Sequence, residues 1–288
     1  MKPAAFCYHR PSSIDEALEQ LAHSGEGAKV IAGGQSLGPM MNMRLAAPSD
    51  LIDLNDLTEL AYVRDAGDAI EIGALTRHHQ VEESALVKDA CPLLAQAAQT
   101  IGHYAIRQRG TLGGSLAHAD PAAQLALVGV TLGAQIRVAS LHRERVVPAS
   151  EFFLSVMATA LDSDEIILSV RFPKAAPQEG ASFQLFNRRH GDFAIVAVAA
   201  TVALQENRLA RIRLGVAGTG SVPLSLDMIA ERFLGGTLDA VRIKELAGLA
   251  SEAVSPEDDA RISAAYRKEL TATLVDRALA RALERAQG

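Results

Sequence analysis

Two Gly-Gly pairs constrain this chain more than any other feature in it. The first lies in Ile31-Ala32-Gly33-Gly34-Gln35-Ser36-Leu37, the second in Thr111-Leu112-Gly113-Gly114-Ser115-Leu116, and each runs into a segment that reads as helical. Paired glycines let a backbone turn sharply and approach a ligand closely, because no Cβ stands in the way. A helix that starts just after them aims free N–H groups and the positive end of its dipole at the same spot. Two such loops converging on one diphosphate would bind a dinucleotide with backbone amides.

The better-known nucleotide signatures are missing. There is no G-x-G-x-x-G and no G-x-x-x-x-G-K-[ST], so a Rossmann site and a P-loop are both disfavoured. Neither pair has a lysine placed for a γ-phosphate. What remains is a set of neutral donors: the loop amides with Gln35, Ser36, Thr111 and Ser115. The competing reading is that both pairs are only tight turns.

Composition narrows the partners. The net charge of −6 argues against phosphate neutralisation on a nucleic acid, and the absence of Trp argues against base stacking. Cys7 and Cys91 are the only cysteines, too few for an iron–sulfur cluster or a thiolate zinc site held by this chain alone. His78 and His79 are adjacent and point to different sides of any element, which leaves capping or surface roles for the histidines and no metal site. No G-x-S-x-G elbow supports a hydrolase triad. Residues Met1 to Arg10 carry no apolar signal core, and the longest apolar run, Ala194 to Leu204, is far shorter than the roughly 20 residues of a bilayer span. The expectation is a soluble cytoplasmic protein.

The hydrophobic pattern gives an α+β order. Ser12 or Ser13 caps a helix through Ala22, followed by a short strand Lys29–Ala32. A helix is expected from Pro39 through Leu45, strands at 51–54 and 69–75, and a helix over 93–101. Pro121 is expected to open a helix through about Leu132. Strands follow at 134–139, 145–147 and 165–172. The Pro- and Gly-rich stretch 173–180 marks a domain boundary. Beyond it, strands at 182–187, 194–204 and 209–216, with Asn207 in a hairpin turn, precede helices at 224–233, 238–253 and 262–286. Arg188-Arg189-His190-Gly191-Asp192-Phe193 has two readings: a solvated cluster with Asp192 paired to an arginine, or a loop turned at Gly191 that presents Phe193 to a flat ligand.

The whole chain resembles the FAD-binding medium subunit of molybdenum hydroxylases of the xanthine dehydrogenase family. The residues carrying the resemblance are Tyr8-His9-Arg10-Pro11, Ala32 through Leu37, Arg107 through Pro121, Glu165-Ile166-Ile167 and Arg188 through Ala194. It implies an FAD-binding domain of the PCMH type over 1–176, with lobes at about 1–56 and 57–176. A C-terminal domain over 177–288 then holds a three-stranded antiparallel sheet with helices. It also implies that Ala32, Gly33, Gly34, Gln35, Ser36 and Leu37, together with Thr111, Gly113, Gly114 and Ser115, grip the FAD diphosphate. Ile101 and Ile167 would line the cofactor, Phe193 would lie close to the flavin ring, and Asp120 would sit by the second loop.

The chain departs from the family pattern at two positions. Gln124 stands where the family often has an acid, and Leu185 where it often has a Lys; Gln124 can still bond a ribose hydroxyl. The implied partners are a small subunit with [2Fe–2S] clusters and a large molybdopterin subunit, in a dimer of heterotrimers. The implied activity is electron transfer from the clusters through FAD to an external acceptor during hydroxylation of an N-heteroaromatic substrate, with no catalytic acid or base on this chain. The alternatives are the medium chain of an aerobic carbon monoxide dehydrogenase and a self-sufficient flavin oxidoreductase.

Overall fold

Ser13, in extended conformation, accepts the Glu16 N–H and starts α1 (Ile14–Ser24), which buries Ala17, Leu18 and Leu21. In the computed structural model, which describes residues 2–260 and 262–288, this helix covers a small parallel sheet. Strands β1 (Cys7–His9) and β2 (Ala28–Ile31) flank β3 (Asp50–Asp53), and both run parallel to it. A short helix, α2 (Leu37–Asn42), connects β2 to β3. It begins two residues before Pro39 and stops before Leu45, because Arg44 turns left-handed at φ +58.

The second unit is a five-stranded sheet built from β4 (Val63–Asp65), β5 (Ala69–Gly73), β6 (Gln135–Ser140), β7 (Arg143–Pro148) and β10 (Ile166–Pro173). Its order is β4-β5-β10-β6-β7, with every pair antiparallel. Between β5 and β6 the chain makes a helical excursion: α3 (His78–Glu83), α4 (Ala85–Ala90), α5 (Pro92–Gln99), α6 (Tyr104–Arg107), α7 (Leu112–His118) and α8 (Gln124–Leu132). Every residue of α8 is buried, polar Gln124 and Thr131 included, so it has no solvent face. A turn at α9 (Ala149–Phe152) leads to the hairpin of β8 (Phe153–Ser155) and β9 (Ala158–Thr159).

Pro121 does not open α8. Asp120 accepts the Ala122 N–H with its side chain (2.8 Å) and the Ala123 N–H with its carbonyl (2.9 Å), and that turn delays the helix to Gln124.

The last sheet runs in the order β11 (Glu179–Phe186), β12 (Val196–Gln205), β13 (Arg208–Ala217) and β14 (Leu224–Ser225). Glu206 and Asn207, both at positive φ, make the tight β12–β13 turn. Four strands replace the expected three. Leu224 and Ser225 pair with Val216 and Gly215, so the expected helix over 224–233 is reduced to α10 (Asp227–Ala230) and a following 3-10 turn. Along β12, Val196, Val198, Ala200 and Val202 face α11 (Ala240–Ala253) and α12 (Ala264–Gln287). Ala197 and Ala199 face the core of the second unit. Small residues on that second face let α5 and α8 close directly over the sheet.

Candidate functional site

The first glycine pair lies in the turn between β2 and α2. Gly34 is left-handed at φ +68, and the Gln35 side chain folds back to donate to the Gly33 carbonyl at 2.8 Å. The N–H groups from Gly33 to Leu37 form a run with no hydrogen-bond partner among the described residues. Gly34 through Leu37 are half-buried and Gly33 is buried, so the run rises from the loop junction toward the surface. Successive free N–H groups around a left-handed turn make a concavity suited to an anion.

The second pair is placed differently. Gly113 and Gly114 do not precede α7; they lie in its first turn, behind Thr111 as N-cap. The Gly113 N–H donates to the Ala74 carbonyl (2.8 Å), the Gly114 N–H to Thr111 Oγ1 (3.1 Å) and the Ser115 N–H to the Thr111 carbonyl (3.0 Å). Only the Thr111 N–H of this stretch remains without a partner among the described residues. Gly113 is required by packing, because an added Cβ would stand 2.7 Å from Ala74 Cβ and 2.9 Å from its carbonyl oxygen.

The two loops meet at Gly33. A Cβ there would come within 2.1 Å of the Arg109 carbonyl oxygen and 2.9 Å of Gly110 Cα, so the first loop lies directly on the segment leading into the second. Side chains from two other elements fix this contact. Asn55 Nδ2, just beyond β3, donates to the Ala32 carbonyl at 2.8 Å. Arg77, the N-cap of α3, donates from Nη2 to Asn55 Oδ1 at 2.6 Å and from Nη1 to the Arg109 carbonyl. Arg77 also forms an isolated antiparallel bridge with Thr111. Neither Asn55 nor Arg77 stood out in the sequence, where each is one polar residue among many.

Beneath the second loop lies His78, buried rather than at the surface. Its Nε2 is 2.9 Å from the Thr111 carbonyl, and its Nδ1 is buried without a partner among the described residues. Burial pushes its pKa down to about 4; the Thr111 bond opposes this, and Arg107 and Arg77 add to it. His78 is therefore a neutral donor to Thr111 at neutral pH.

The other expected positions spread outward from this junction. Ile101 is half-buried against the main core at the end of α5, next to Thr100, whose carbonyl lies 3.5 Å from Gln124 Nε2. Gln124 is itself buried. Arg107 ties the same turn down, donating to Glu82 (2.7 Å) and to the Ile101 carbonyl (3.2 Å). Ile167 is a core residue of β10, and Asp120 holds the turn before α8.

Gly191 is left-handed at φ +88, and a Cβ there would stand 2.6 Å from His103 Nε2. The loop 187–195 therefore closes onto the turn after Ile101, with the His103 and His190 rings 5.4 Å apart. Phe193 on that loop is 67% exposed, so an apolar ring faces open space. Among the described residues Asp192 does not pair with an arginine; its backbone bonds Arg189 and Asn187.

No group of three or more His, Cys, Asp or Glu among the described residues could hold a metal ion. No helix among them is long and apolar enough to cross a membrane. The run of neutral amides fits a diphosphate of the kind a flavin dinucleotide carries.

Comparison with known proteins agrees with that chemistry. Residues 4–175 match the family described as the FAD binding domain in molybdopterin dehydrogenase, and residues 181–282 match the CO dehydrogenase flavoprotein C-terminal domain. The chain is 40% identical over 288 residues to the 6-hydroxypseudooxynicotine dehydrogenase complex subunit alpha of Paenarthrobacter nicotinovorans, covering 100% of this chain and 97% of that relative. It superposes on quinoline 2-oxidoreductase from Pseudomonas putida 86 with a TM-score of 0.96 at 32% identity, covering 100% of both chains. It matches carbon monoxide dehydrogenase from Hydrogenophaga pseudoflava equally well, with a TM-score of 0.96 at 33% identity over 99% of each chain.

Proposed function

Because the chain belongs to the FAD-binding medium subunits of the molybdenum hydroxylases, we propose that it is the electron-transfer subunit of a complex that hydroxylates an N-heteroaromatic substrate. The observation that carries the site assignment is the run of free N–H groups from Gly33 to Leu37, seated on the backbone at Arg109–Gly110. We assign Ala32 through Leu37 and the free Thr111 N–H to the FAD diphosphate, with Gly113, Gly114 and Ser115, whose N–H groups are bonded within the protein, forming the wall of the second loop beside it. Ile101, Ile167, Asp120 and Gln124 belong to the surrounding cofactor wall, and exposed Phe193 to the flavin ring. FAD, when bound, supplies the redox chemistry that no side chain here offers. The protein's part is to hold it, orient it and shield it, and this chain needs no acid or base of its own.

In this reading residues 1–176 are the FAD-binding domain, with lobes at about 1–56 and 57–176, and 177–288 is the C-terminal domain. The molybdopterin and [2Fe–2S] groups sit on large and small partner subunits in a dimer of heterotrimers, and electrons leave to an external acceptor. The cytoplasm is the compartment we assign, in keeping with two free thiols, Cys7 and Cys91. The 40% identity to a subunit named for an N-heterocyclic compound supports the substrate class over carbon monoxide.

The test is purification of the chain with whatever accompanies it. A yellow protein with stoichiometric FAD, accompanied by a molybdenum subunit that oxidises N-heterocycles, is the expected result. A colourless chain that does not take up added FAD overturns the reading. Turnover of an organic substrate by the chain alone favours a self-sufficient oxidoreductase instead.

A further inference from the structure

Every donor the sequence offered at the glycine loops is neutral, yet the diphosphate of FAD carries formal negative charge. The junction of the two loops holds one half-buried guanidinium, Arg77, whose partners are all neutral. Nη2 is held by Asn55 Oδ1 at 2.6 Å and Nη1 by the Arg109 carbonyl, the same oxygen that abuts Gly33. Neither Arg77 nor Arg109 forms an ion pair with a carboxylate among the described residues, whereas neighbouring Arg107 is paired with Glu82 at 2.7 Å. Asp53, whose charge reaches Arg77, already accepts from Tyr8 Oη at 2.5 Å and from the Asn55 N–H at 2.9 Å. Burial first, and then the charge of Arg109, press the Arg77 pKa below its ordinary value, against the opposing pull of Asp53. A guanidinium stays protonated all the same. Removing a charge from water without pairing it is costly, so a fold that holds one fixed in this way has a use for an anion beside it.

We infer that Arg77 is the charged element of the diphosphate site, fixed by Asn55 and the Arg109 carbonyl at the seam where the two glycine loops meet. This rests on the proposal that the loops bind FAD. Asn55 is then a positioning residue: it links the Ala32 carbonyl of the first loop to the guanidinium and so sets the charge relative to the free amides.

The two roles separate experimentally. The full chain, stripped of flavin, is titrated with FAD at low and high salt for wild type, Arg77→Met, Arg77→Lys and Asn55→Ala, with thermal unfolding as a check on folding. Wild-type affinity is expected to fall as salt rises, since screening weakens a charge–charge term. Arg77→Met should raise the dissociation constant at least tenfold and flatten the salt dependence. Arg77→Lys should keep most of the salt dependence, because the charge remains. Asn55→Ala should weaken binding while leaving the salt dependence in place.

Arg77→Met with wild-type affinity and salt response overturns the inference. So does Arg77→Lys with a flat salt response, which decides the matter if the methionine variant fails to fold. Inorganic pyrophosphate provides the second arm: it should raise the melting temperature of wild type and not of Arg77→Met. If wild type binds no FAD yet shows this pyrophosphate effect, the FAD reading fails and the anion site at Arg77 stands. If neither ligand binds wild type, both fall.

Discussion

At the first glycine pair the chain turns through left-handed Gly34 and leaves its N–H groups from Gly33 to Leu37 without internal partners. At the second, Gly113 and Gly114 sit inside a helix and give their N–H groups to Ala74 and Thr111. The two stretches look alike on paper, yet one presents donors and the other presses a helix against the end of β5. Glycine serves a different need in each: conformational freedom at Gly34, and the missing Cβ at Gly113. A motif repeated in sequence therefore fixes the residue type and not the physical reason for it. Gly33 combines the two uses, since it belongs to the open loop but its missing Cβ is what lets the loops touch.

Valine at Gly33 and at Gly114 should have very different effects on flavin retention. At Gly33 the new Cβ stands 2.1 Å from a carbonyl oxygen that is itself held by Arg77, so the loops must separate. Loss of stoichiometric flavin absorbance is expected, with the four-stranded C-terminal sheet still protected in hydrogen exchange. At Gly114 the Cβ meets only the Thr111 hydroxyl, at 2.8 Å, and flavin should be weakened rather than lost. Equal loss from both variants would show that the loops contribute alike.

A second effect is tied to the packed loop alone. His78 is neutral in the fold, with its pKa pushed down to about 4, whereas in the unfolded chain it titrates near 6.5. Between those values the unfolded chain binds more protons, so stability present above pH 6.5 is lost as the pH falls toward 4. The loss amounts to about 3 kcal/mol over that window. Denaturant midpoints measured at pH 7 and pH 4 should show it, and His78→Gln should remove this part of the slope. An unchanged slope in the variant would locate the titration elsewhere.

The smallest expected effect is that of Gly113→Ala. Crowding against Ala74 should cost about 2 kcal/mol, read from the shift in unfolding midpoint. Because its N–H already points at Ala74, the flavin affinity of whatever remains folded should hardly change. A large affinity loss without a stability loss would place Gly113 among the ligand donors.

Much of this molecule was legible before its structure. Ser13 caps α1 as its spacing demands, and Asn207 closes the β12–β13 hairpin as a turn former between apolar runs does. Gly191 is left-handed as one reading of its loop required. The departures have two causes. Pro121 is a good first helical residue, but the side chain and carbonyl of Asp120 capture the next two free N–H groups. Leu224 and Ser225 look helical until β13 offers them an edge to pair with. In the first case a neighbouring side chain competed for the helix's own donors, and in the second a strand distant in sequence supplied the partner.

Local pattern in the sequence was enough for the main strands and helices, the two glycine–serine stretches, the exclusion of Rossmann and P-loop patterns, and the family. Those properties depend on backbone freedom and side-chain period, which act over a few residues. Which glycine pair keeps its amides free, the touch of the loops at Gly33 and the bridge through Arg77 follow from packing in three dimensions. Arg77 reaches Asn55 across 22 residues of sequence and the Arg109 carbonyl across 32. Contacts of that span are set by how sheets and helices pack, and no local rule of sequence encodes them.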